Sequence, residues 1–303
     1  MSTQPTLGLE RTAQGDNPVG HPPAATPTPQ DLTLNVRDRR FGRETQQQRW
    51  WLNGDPIASA WFNALSACFP RGEGLFIDAV RYFREGTPPR LEREIRAFIK
   101  QEVNHTREHL AFNRAAVDAG YDVSRIEARV EHQIGLSKSR PPIAWLATTI
   151  ALEHFTAMFA HEFLRHPEHF ANADVEQAAL WKWHAAEEIE HKGVAYDTWL
   201  HATRDMSRWK RWWIKARVMG FVTVLFIRNR TVDALDLLEQ DGITGAKARW
   251  RLWKYLLGKP GILRRVALPW ASYFMPGFHP WNHDDRDLIA TYDSEFEAAN
   301  LPA

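Results

Sequence analysis

The sequence predicts an all-α protein, and two observations lead to that prediction. The alternation of apolar and polar residues that is typical of a half-buried strand is nowhere sustained, and it appears only weakly at 33–41. From about Ser66 onward, clusters of Gly, Pro and Ser divide the chain into windows that suit helices of about 15 to 25 residues. These helix-breaking clusters lie at 86–89, 120–121, 139–142, 165–167, 242, 258–261 and 276–280.

The composition is that of a globular protein, because 44% of the 303 residues are hydrophobic and 25% are charged. Residues 1–30 differ, since they contain six prolines and few large apolar residues, and we predict a disordered leader there. We assign 31–203 to a helical bundle and 204–303 to a basic, Trp-rich helical region. The first 15 residues lack the basic and apolar parts of a signal peptide, so we expect a cytoplasmic protein.

Cysteine chemistry is nearly absent from this chain, whose only cysteine is Cys68. A single cysteine excludes an intrachain disulfide and any metal site built on several thiolates. Carboxylates and the 13 histidines remain as metal ligands. A functional site is therefore expected where these side chains interrupt an apolar helix face.

Two predicted helices carry a Glu-x-x-His motif in the middle of an otherwise apolar face. On 91–116 the face contains Glu102 and His105, and on 181–198 it contains Glu188 and His191. Residues three apart in a helix lie on the same side, one turn apart, so each motif places its two side chains together. Because a buried carboxylate without a partner is costly, the pattern indicates a counter-charge or a metal ion.

Two further predicted helices each place one glutamate in an apolar face, Glu73 and Glu153. Glu73 is 29 residues from Glu102, Glu153 is 35 residues from Glu188, and each midpoint falls at a predicted turn. Two antiparallel hairpins would therefore bring the carboxylates to one height, and the 51 residues from Glu102 to Glu153 predict a single long crossover. This is the ligand set of dimetal carboxylate proteins, and we predict a ferritin-like four-helix bundle with additional C-terminal helices packed on it.

The predicted metal ligands are Glu73, Glu102, His105, Glu153, Glu188 and His191. His109 and His184 lie one turn from the motifs at the same end of the site, and they either bind metal or orient the ligands. We interpret His154 and Glu187 as structural. The competing interpretation is a chance occurrence of Glu-x-x-His on acidic helices, but it does not explain two copies with partner glutamates at hairpin spacing.

Oxygen-rich ligand sets with one histidine per metal suit iron, so the predicted cofactor is a pair of iron ions. Manganese or a mixed iron–manganese pair is the alternative, and zinc is less suited. The favoured hypothesis is an O₂-dependent di-iron oxidoreductase or oxygenase that acts on a small or lipid-like organic substrate. The alternative is a metal-dependent hydrolase that uses a bridging hydroxide at the same site. A non-enzymatic metal-binding or ferroxidase protein is a third hypothesis.

Four segments also carry a resemblance to a known family: 64–83, 101–105, 187–192 and 276–281, the last reading Pro-Gly-Phe-His-Pro-Trp. They resemble a bacterial family of predicted metal-dependent hydrolases, which is placed with ferritin-like folds. The resemblance covers roughly 35–300, and it implies a dimetal fold in which the C-terminal third belongs to the same unit as the bundle. We interpret His279 and His283 as structural rather than as a second metal site.

The basic charge is concentrated in 204–265, where 15 Lys and Arg stand against five Asp and Glu. This net +10 leaves −9 on the rest of a chain whose total is +1. Basic residues and tryptophans flank an apolar run, so we expect peripheral membrane contact through 208–230. Plain packing of this helix on the bundle is the competing interpretation. No nucleic-acid-binding motif accompanies the charge, so nucleic acid is not a predicted partner, and a homodimer is left open.

Overall fold

A computed structural model describes residues 27–42 and 46–299. The leader predicted at 1–30 lies almost entirely outside these residues. Within the described residues the regular secondary structure is helical, and the only strand-like pairing is an isolated bridge between Leu52 and Ala173. The predicted all-α class is confirmed.

Eleven α-helices make up the described part of the chain. They are α1 (Pro56–Tyr82), α2 (Pro89–Asp118), α3 (Ser124–Lys138), α4 (Pro142–Arg165), α5 (Val175–His191), α6 (Val194–Ala202), α7 (Arg208–Gln240), α8 (Gly245–Trp253), α9 (Ile262–Arg265), α10 (Ala267–Ser272) and α11 (Arg286–Ala299). Short 3₁₀ turns at Pro167–Phe170 and Pro280–Asn282, and a π turn at Lys254–Gly258, join some of them.

Local sequence signals fix where the bundle helices begin. Asp55 caps α1 by accepting a hydrogen bond from the backbone N–H of Ile57, and Asp174 caps α5 in the same way. Proline occupies the first turn of α1, α2 and α4, where its missing N–H costs nothing. The prediction that helix begins near Ser66 is wrong, because α1 begins ten residues earlier. Residues 57–67 are buried on every side, so they show no amphipathic period in the sequence.

Four helices, α1, α2, α4 and α5, pack side by side and form the centre of the molecule. The turn at 83–88 joins α1 to α2, and the segment 166–174 joins α4 to α5, as the spacing of the glutamates predicts. The connection from α2 to α4 is long and contains a helix of its own, α3, which packs against α1 and α4.

The apolar face of 181–198 predicts one continuous helix, and this prediction is wrong. Helix α5 ends at His191 and α6 begins at Val194. Trp281 approaches the backbone of Gly193 in this break so closely that a Cβ there would lie 2.7 Å from the ring atom Cδ1. Only glycine leaves room for this contact, which anchors the late Pro-Gly-Phe-His-Pro-Trp segment against the end of α5.

The weak alternation at 33–41 belongs to an extended segment rather than to a strand. Its backbone N–H groups bond to helix carboxylates instead of to a neighbouring strand. Asn35 donates to Glu190 at 3.0 Å and Arg37 donates to Glu187 at 2.8 Å. The segment is thus bound to α5 beside the Glu-x-x-His motif.

The C-terminal helices pack on this bundle, as predicted. Helix α7 lies along α1 and α4, where Phe226 stacks on Phe155 with ring centroids 4.8 Å apart, and α11 packs against α5 and α4. The apolar core runs without interruption from the bundle into these helices. Within the described residues, α4 alone is long and apolar enough to cross a bilayer, and most of its apolar stretch is buried in this core.

A buried ion pair joins the C-terminal segment to the bundle. The ammonium of Lys192, at the end of α5, lies 2.6 Å from Oδ2 of Asp285. Nδ1 of His161 on α4 lies 2.9 Å from Oδ1 of the same carboxylate. Burial acts to raise the pKa of Asp285, but the hydrogen bond from His161 and the charge of Lys192 outweigh it and lower this pKa to about 2.

We expect Asp285→Asn to lower the free energy of unfolding at neutral pH by about 2 kcal/mol or more, because it also leaves Lys192 without its counter-charge. The folded-state pKa lies below the ordinary value of 3.8, so the carboxylate stabilises the fold above about pH 4. This contribution is lost as the pH falls from about 4 toward 2. Urea unfolding at a series of pH values should show the wild type converging on the variant. Asp284→Asn, at an exposed neighbour, is the control, and an equal loss there at neutral pH would contradict the assignment.

Candidate metal centre

One buried cluster between α1, α2, α4 and α5 contains every ligand candidate of the two Glu-x-x-His motifs and their surroundings. Its members are Glu73, Glu102, His105, His109, Glu153, His184, Glu188 and His191. None of them exposes more than 4% of its surface. The predicted hairpins therefore do bring these side chains to one height in the core.

The first group of ligand atoms surrounds His191. Its Nε2 lies 3.4 Å from Oε1 of Glu102, 3.4 Å from Oε1 of Glu188 and 3.7 Å from Oε2 of Glu153. A metal ion holds nitrogen and oxygen ligands at about 2.0–2.2 Å, so donor atoms around one ion lie roughly 3 to 4 Å apart. These four residues have the spacing of one metal position.

The second group surrounds His105 and His184. Nδ1 of His105 lies 3.6 Å from Oε2 of Glu102 and 3.6 Å from Oε1 of Glu188. Nε2 of His184 lies 2.8 Å from Oε1 of Glu188 and 3.9 Å from Oε1 of Glu73. Glu102 and Glu188 therefore adjoin both groups, which is the placement of carboxylates that would bridge two ions.

Two of the imidazoles are oriented by groups behind them. Nε2 of His105 lies 2.9 Å from Oε2 of Glu187, so its N–H points away from the cluster and Nδ1 faces it. Nδ1 of His191 lies 3.1 Å from Oε1 of Gln101, whose amide nitrogen donates to Glu190 at 2.9 Å. The amide oxygen must then accept from His191, which leaves Nε2 of that ring facing the cluster. Such outer hydrogen bonds fix the tautomer of metal-binding histidines.

A hydrogen-bond chain orients the third imidazole. The side-chain amide of Asn113 donates to the backbone carbonyl of Ser66, so its oxygen accepts from the Ser66 hydroxyl at 2.7 Å. That hydroxyl accepts from Nδ1 of His109 at 2.8 Å, and Nε2 of His109 then accepts from Nδ1 of His184 at 2.6 Å. Neutral rings in this order leave Nε2 of His184 unprotonated toward the cluster, while both nitrogens of His109 are occupied. His109 positions His184.

The middle of the cluster contains hydrogen-bond acceptors that have no donor. Eight buried atoms there have no hydrogen-bond partner among the described residues. They are both carboxylate oxygens of Glu102 and of Glu153, Oε1 of Glu73, Oε2 of Glu188, Nδ1 of His105 and Nε2 of His191. Buried polar atoms in folded proteins are almost always paired, so a group of unpaired acceptors fits bound cations.

The electrostatics lead to the same conclusion. Burial, together with the charge of Glu188, raises the pKa of Glu102 and of Glu153 well above the ordinary value, and burial does the same for Glu73. Burial acts to raise the pKa of Glu188, but the adjacent imidazoles of His191 and His184 outweigh it and hold this pKa well below the ordinary value. Two divalent ions carry four positive charges, which match the four carboxylates. The residues present therefore fit a two-metal site.

A second network supports the cluster from outside, and Arg37 connects it. The guanidinium of Arg37 lies 2.7 Å from Oε1 of Glu190, and the Arg37 backbone N–H donates to Glu187. Asp293 of α11 holds the same guanidinium at 3.0 Å. Arg37, Gln101 and Glu190 are not among the predicted site residues, and Glu187 is predicted only as structural. Three of these four residues could have been recognised by their position in the sequence. Gln101 and Glu187 directly precede the Glu-x-x-His motifs, and Glu190 lies inside the second motif.

Aromatic rings enclose the cluster. Phe98 packs on His191 and Trp183 packs on His105, with ring centroids 4.8 and 4.9 Å apart. A narrow cavity of about 20 Å³, enough for one water molecule, reaches His184 and Glu188. Its other walls are Leu65, Phe69, Thr156, Phe159, Ala160, Phe163, Trp181 and Ala185. The lining of this cavity is therefore apolar on nearly every side.

The remaining histidine candidates lie elsewhere. His154 bonds to the backbone carbonyl of Pro269, and His279 lies 3.2 Å from Asp197. His161 and His283 converge on Asp285 beside a separate cavity of about 470 Å³ between α4 and the C-terminal segment. That carboxylate is already paired with Lys192, so this group has no unpaired acceptor comparable to those of the cluster.

The comparisons with known proteins agree with a metal-dependent enzyme. The model of the family described as "Predicted metal-dependent hydrolase" matches residues 35–284, which is most of the chain. The chain therefore belongs to this family. No curated protein and no solved structure matches it. The matched residues include the whole cluster, the extended segment with Arg37 and the C-terminal helices through α10.

Proposed function

We propose that this member of the predicted metal-dependent hydrolases cleaves its substrate at a two-metal centre formed by the buried cluster. The observation that carries the proposal is the group of eight unpaired acceptor atoms between four helices. Family membership supports hydrolysis, which is the alternative hypothesis of the sequence analysis above. It does not support the favoured di-iron oxidoreductase.

In this proposal Glu102, Glu153, Glu188 and His191 hold one ion, and Glu73, His105 and His184 complete the second position. Glu102 and Glu188 serve both positions because their oxygens adjoin both groups. When bound, the ions would activate a water molecule and polarise the bond that is to be cleaved. The oxygen-rich ligand set favours iron or manganese over zinc.

The chain's own residues perform three tasks around such a reaction. Glu187 and Gln101 hold His105 and His191 in the orientation that points their unprotonated nitrogens inward. The aromatic rings keep bulk water out, which strengthens electrostatic interactions inside. Glu153 can hold the ion through one carboxylate oxygen and take up a proton on the other, because neither oxygen has a hydrogen-bond partner among the described residues.

The cavity indicates the kind of substrate. The cavity that reaches Glu188 and His184 is lined by Phe69, Phe159 and Phe163, and its space is water-sized. We therefore propose a substrate with an apolar group next to the scissile bond, and entry requires movement of these rings. An ester or amide of a hydrophobic acid has this chemistry.

A di-iron oxidoreductase is the second candidate, and the ligand set favours it. A glutamate from each of two helices with a Glu-x-x-His from each of two others is the set used by di-iron and di-manganese carboxylate proteins. The same ligands serve either reaction, so the assay must separate them.

The experiment compares metal-loaded forms of one protein. Metal-free protein is reloaded anaerobically with Mn(II), Zn(II) or Fe(II), and hydrolysis of nitrophenyl esters of increasing acyl length is measured without O₂. An oxygen electrode then records O₂ uptake by the iron form in the presence of a reductant. We expect anaerobic hydrolysis that is lost in Glu102→Gln. O₂ uptake without any anaerobic hydrolysis would support the oxidoreductase instead, and bound metal with neither activity would support a metal-binding protein.

A further inference from the structure

One face of α7 exposes large apolar side chains along its length. Trp209 is 74% exposed and Phe221 is 67% exposed, and Trp213 and Val224 lie exposed on the same face. These residues follow one another at intervals of three, four or eight positions, so they form a single stripe about 22 Å long. Contiguous exposed apolar surface of this kind marks an interaction site.

Basic residues continue this stripe. Arg217 and Arg228 occupy exposed positions in its register, and Arg208 and Lys210 are exposed at the beginning of the helix. No aspartate or glutamate occurs in 206–232. The face therefore combines apolar rings with uncompensated positive charge.

The opposite face of α7 already has its partners. Met219 and Val222 are buried, and the indole of Trp212 donates to the backbone carbonyl of Phe274 at 2.9 Å. Packing on the bundle thus explains one side of the helix, whereas the apolar residues of the Trp209–Val224 side stay exposed.

Helix α10 extends the exposed surface. The indole of Trp270 donates to the hydroxyl of Thr223 at 2.9 Å, which places α10 beside the middle of α7. Leu268 in α10 is 83% exposed, and Met275 shortly after it is also exposed. Aliphatic and aromatic side chains therefore project from two neighbouring helices.

We propose that the exposed face of α7, together with Leu268 and Met275, docks on an anionic lipid bilayer. Tryptophans bind at the headgroup level, aliphatic chains enter the acyl boundary, and arginines bind the anionic headgroups. A second copy of the chain fits less well, because a symmetric dimer through this face would bring its positive charges together. Nucleic acid fits less well because Val224, Leu268 and Met275 cannot stack on bases.

The test is flotation of the full-length protein with vesicles of phosphatidylcholine alone or of phosphatidylcholine with phosphatidylglycerol. We expect binding to the anionic vesicles that weakens at high salt. The double variant Trp213→Ser/Phe221→Ser should reduce the partition coefficient about tenfold or more, and Arg217→Glu/Arg228→Glu should act similarly on anionic vesicles. All four positions are exposed, so unchanged circular dichroism is expected.

The matched control is Leu110→Ser/Leu136→Ser, which removes two exposed apolar side chains from α2 and α3. It should float like the wild type. Equal loss in the control and the α7 variants, or no binding of the wild type to anionic vesicles, would overturn the proposal. So would a concentration-dependent dimer that only the α7 variants dissociate, or displacement from the vesicles by a short single-stranded oligonucleotide.

Discussion

Glu102→Gln is expected to remove both metal ions, although it changes one oxygen to an amide nitrogen and leaves the side-chain volume almost unchanged. Glu102 adjoins both groups of ligand atoms, 3.4 Å from Nε2 of His191 and 3.6 Å from Nδ1 of His105. Loss of a shared carboxylate removes negative charge and a donor from both positions. Elemental analysis should find the metal content per chain reduced by about tenfold or more, with activity falling in parallel.

Two further variants make this prediction specific. Glu153→Gln should lose one ion and keep the other, because Oε2 of Glu153 adjoins the group around His191 at 3.7 Å from Nε2 of that ring. Glu162→Gln is the matched control, since it alters another buried glutamate of α4 that lies outside the cluster and pairs with His169. Metal-free Glu102→Gln should be at least as stable as metal-free wild type, because it removes a costly buried carboxylate. Full metal content in Glu102→Gln would show that the ligand assignment is wrong.

Arg37→Met is expected to weaken both the fold and the metal centre, although Arg37 does not touch the cluster. The change leaves Glu187 and Glu190 buried without the charge of the guanidinium, a situation that costs about 3–5 kcal/mol in free energy of unfolding. Glu187 and Glu190 hold His105 and Gln101, so metal affinity should fall by about 10- to 100-fold. Chemical unfolding and competition with a metal-binding dye measure the two effects.

Arg40→Met is the control for this variant. Arg40 lies in the same extended segment, is half exposed and pairs with exposed Asp38, so its loss should cost at most about 1 kcal/mol and leave metal affinity unchanged. If Arg37→Met kept wild-type metal affinity but had reduced stability, this result would show that Arg37 supports the fold and not the metal centre. Equal effects of the two substitutions would contradict the network described for Arg37.

The sequence predicts the centre of this molecule well, and the reason is periodicity. Glu102 and Glu188 interrupt apolar helix faces, and a polar residue on a face that must be buried is informative by itself. The spacing of each glutamate from its hairpin partner then predicts which side chains meet. Each of these inferences uses residues within one helix or one hairpin.

Features that depend on distant parts of the chain could not be predicted in this way. Arg37 contacts α5 across about 150 residues of sequence, and nothing in its own neighbourhood indicates that it supports the metal centre. The break after His191 contains Gly193, which Trp281 approaches from a distant part of the chain. The first turns of α1 were missed for another reason, since a helix that is buried all round has no amphipathic pattern.

The chemistry of the centre was the least predictable part. Glutamate and histidine ligands in this arrangement serve oxidation and hydrolysis equally well, so the residues alone do not decide between the two reactions, and it is the family that supports hydrolysis. The two reactions differ in the substrate and the metal. The set of side chains that converge in the core specifies neither of them.

The metal content of the wild-type protein tests most directly whether the four-helix cluster holds two divalent metal ions. Full-length protein is purified without chelators, incubated anaerobically with excess Fe(II) or Mn(II), dialysed and analysed for metal and for protein concentration. We expect about two tightly held ions per chain. A ratio near zero with either metal would contradict it, because the eight unpaired acceptors would then have some other partner.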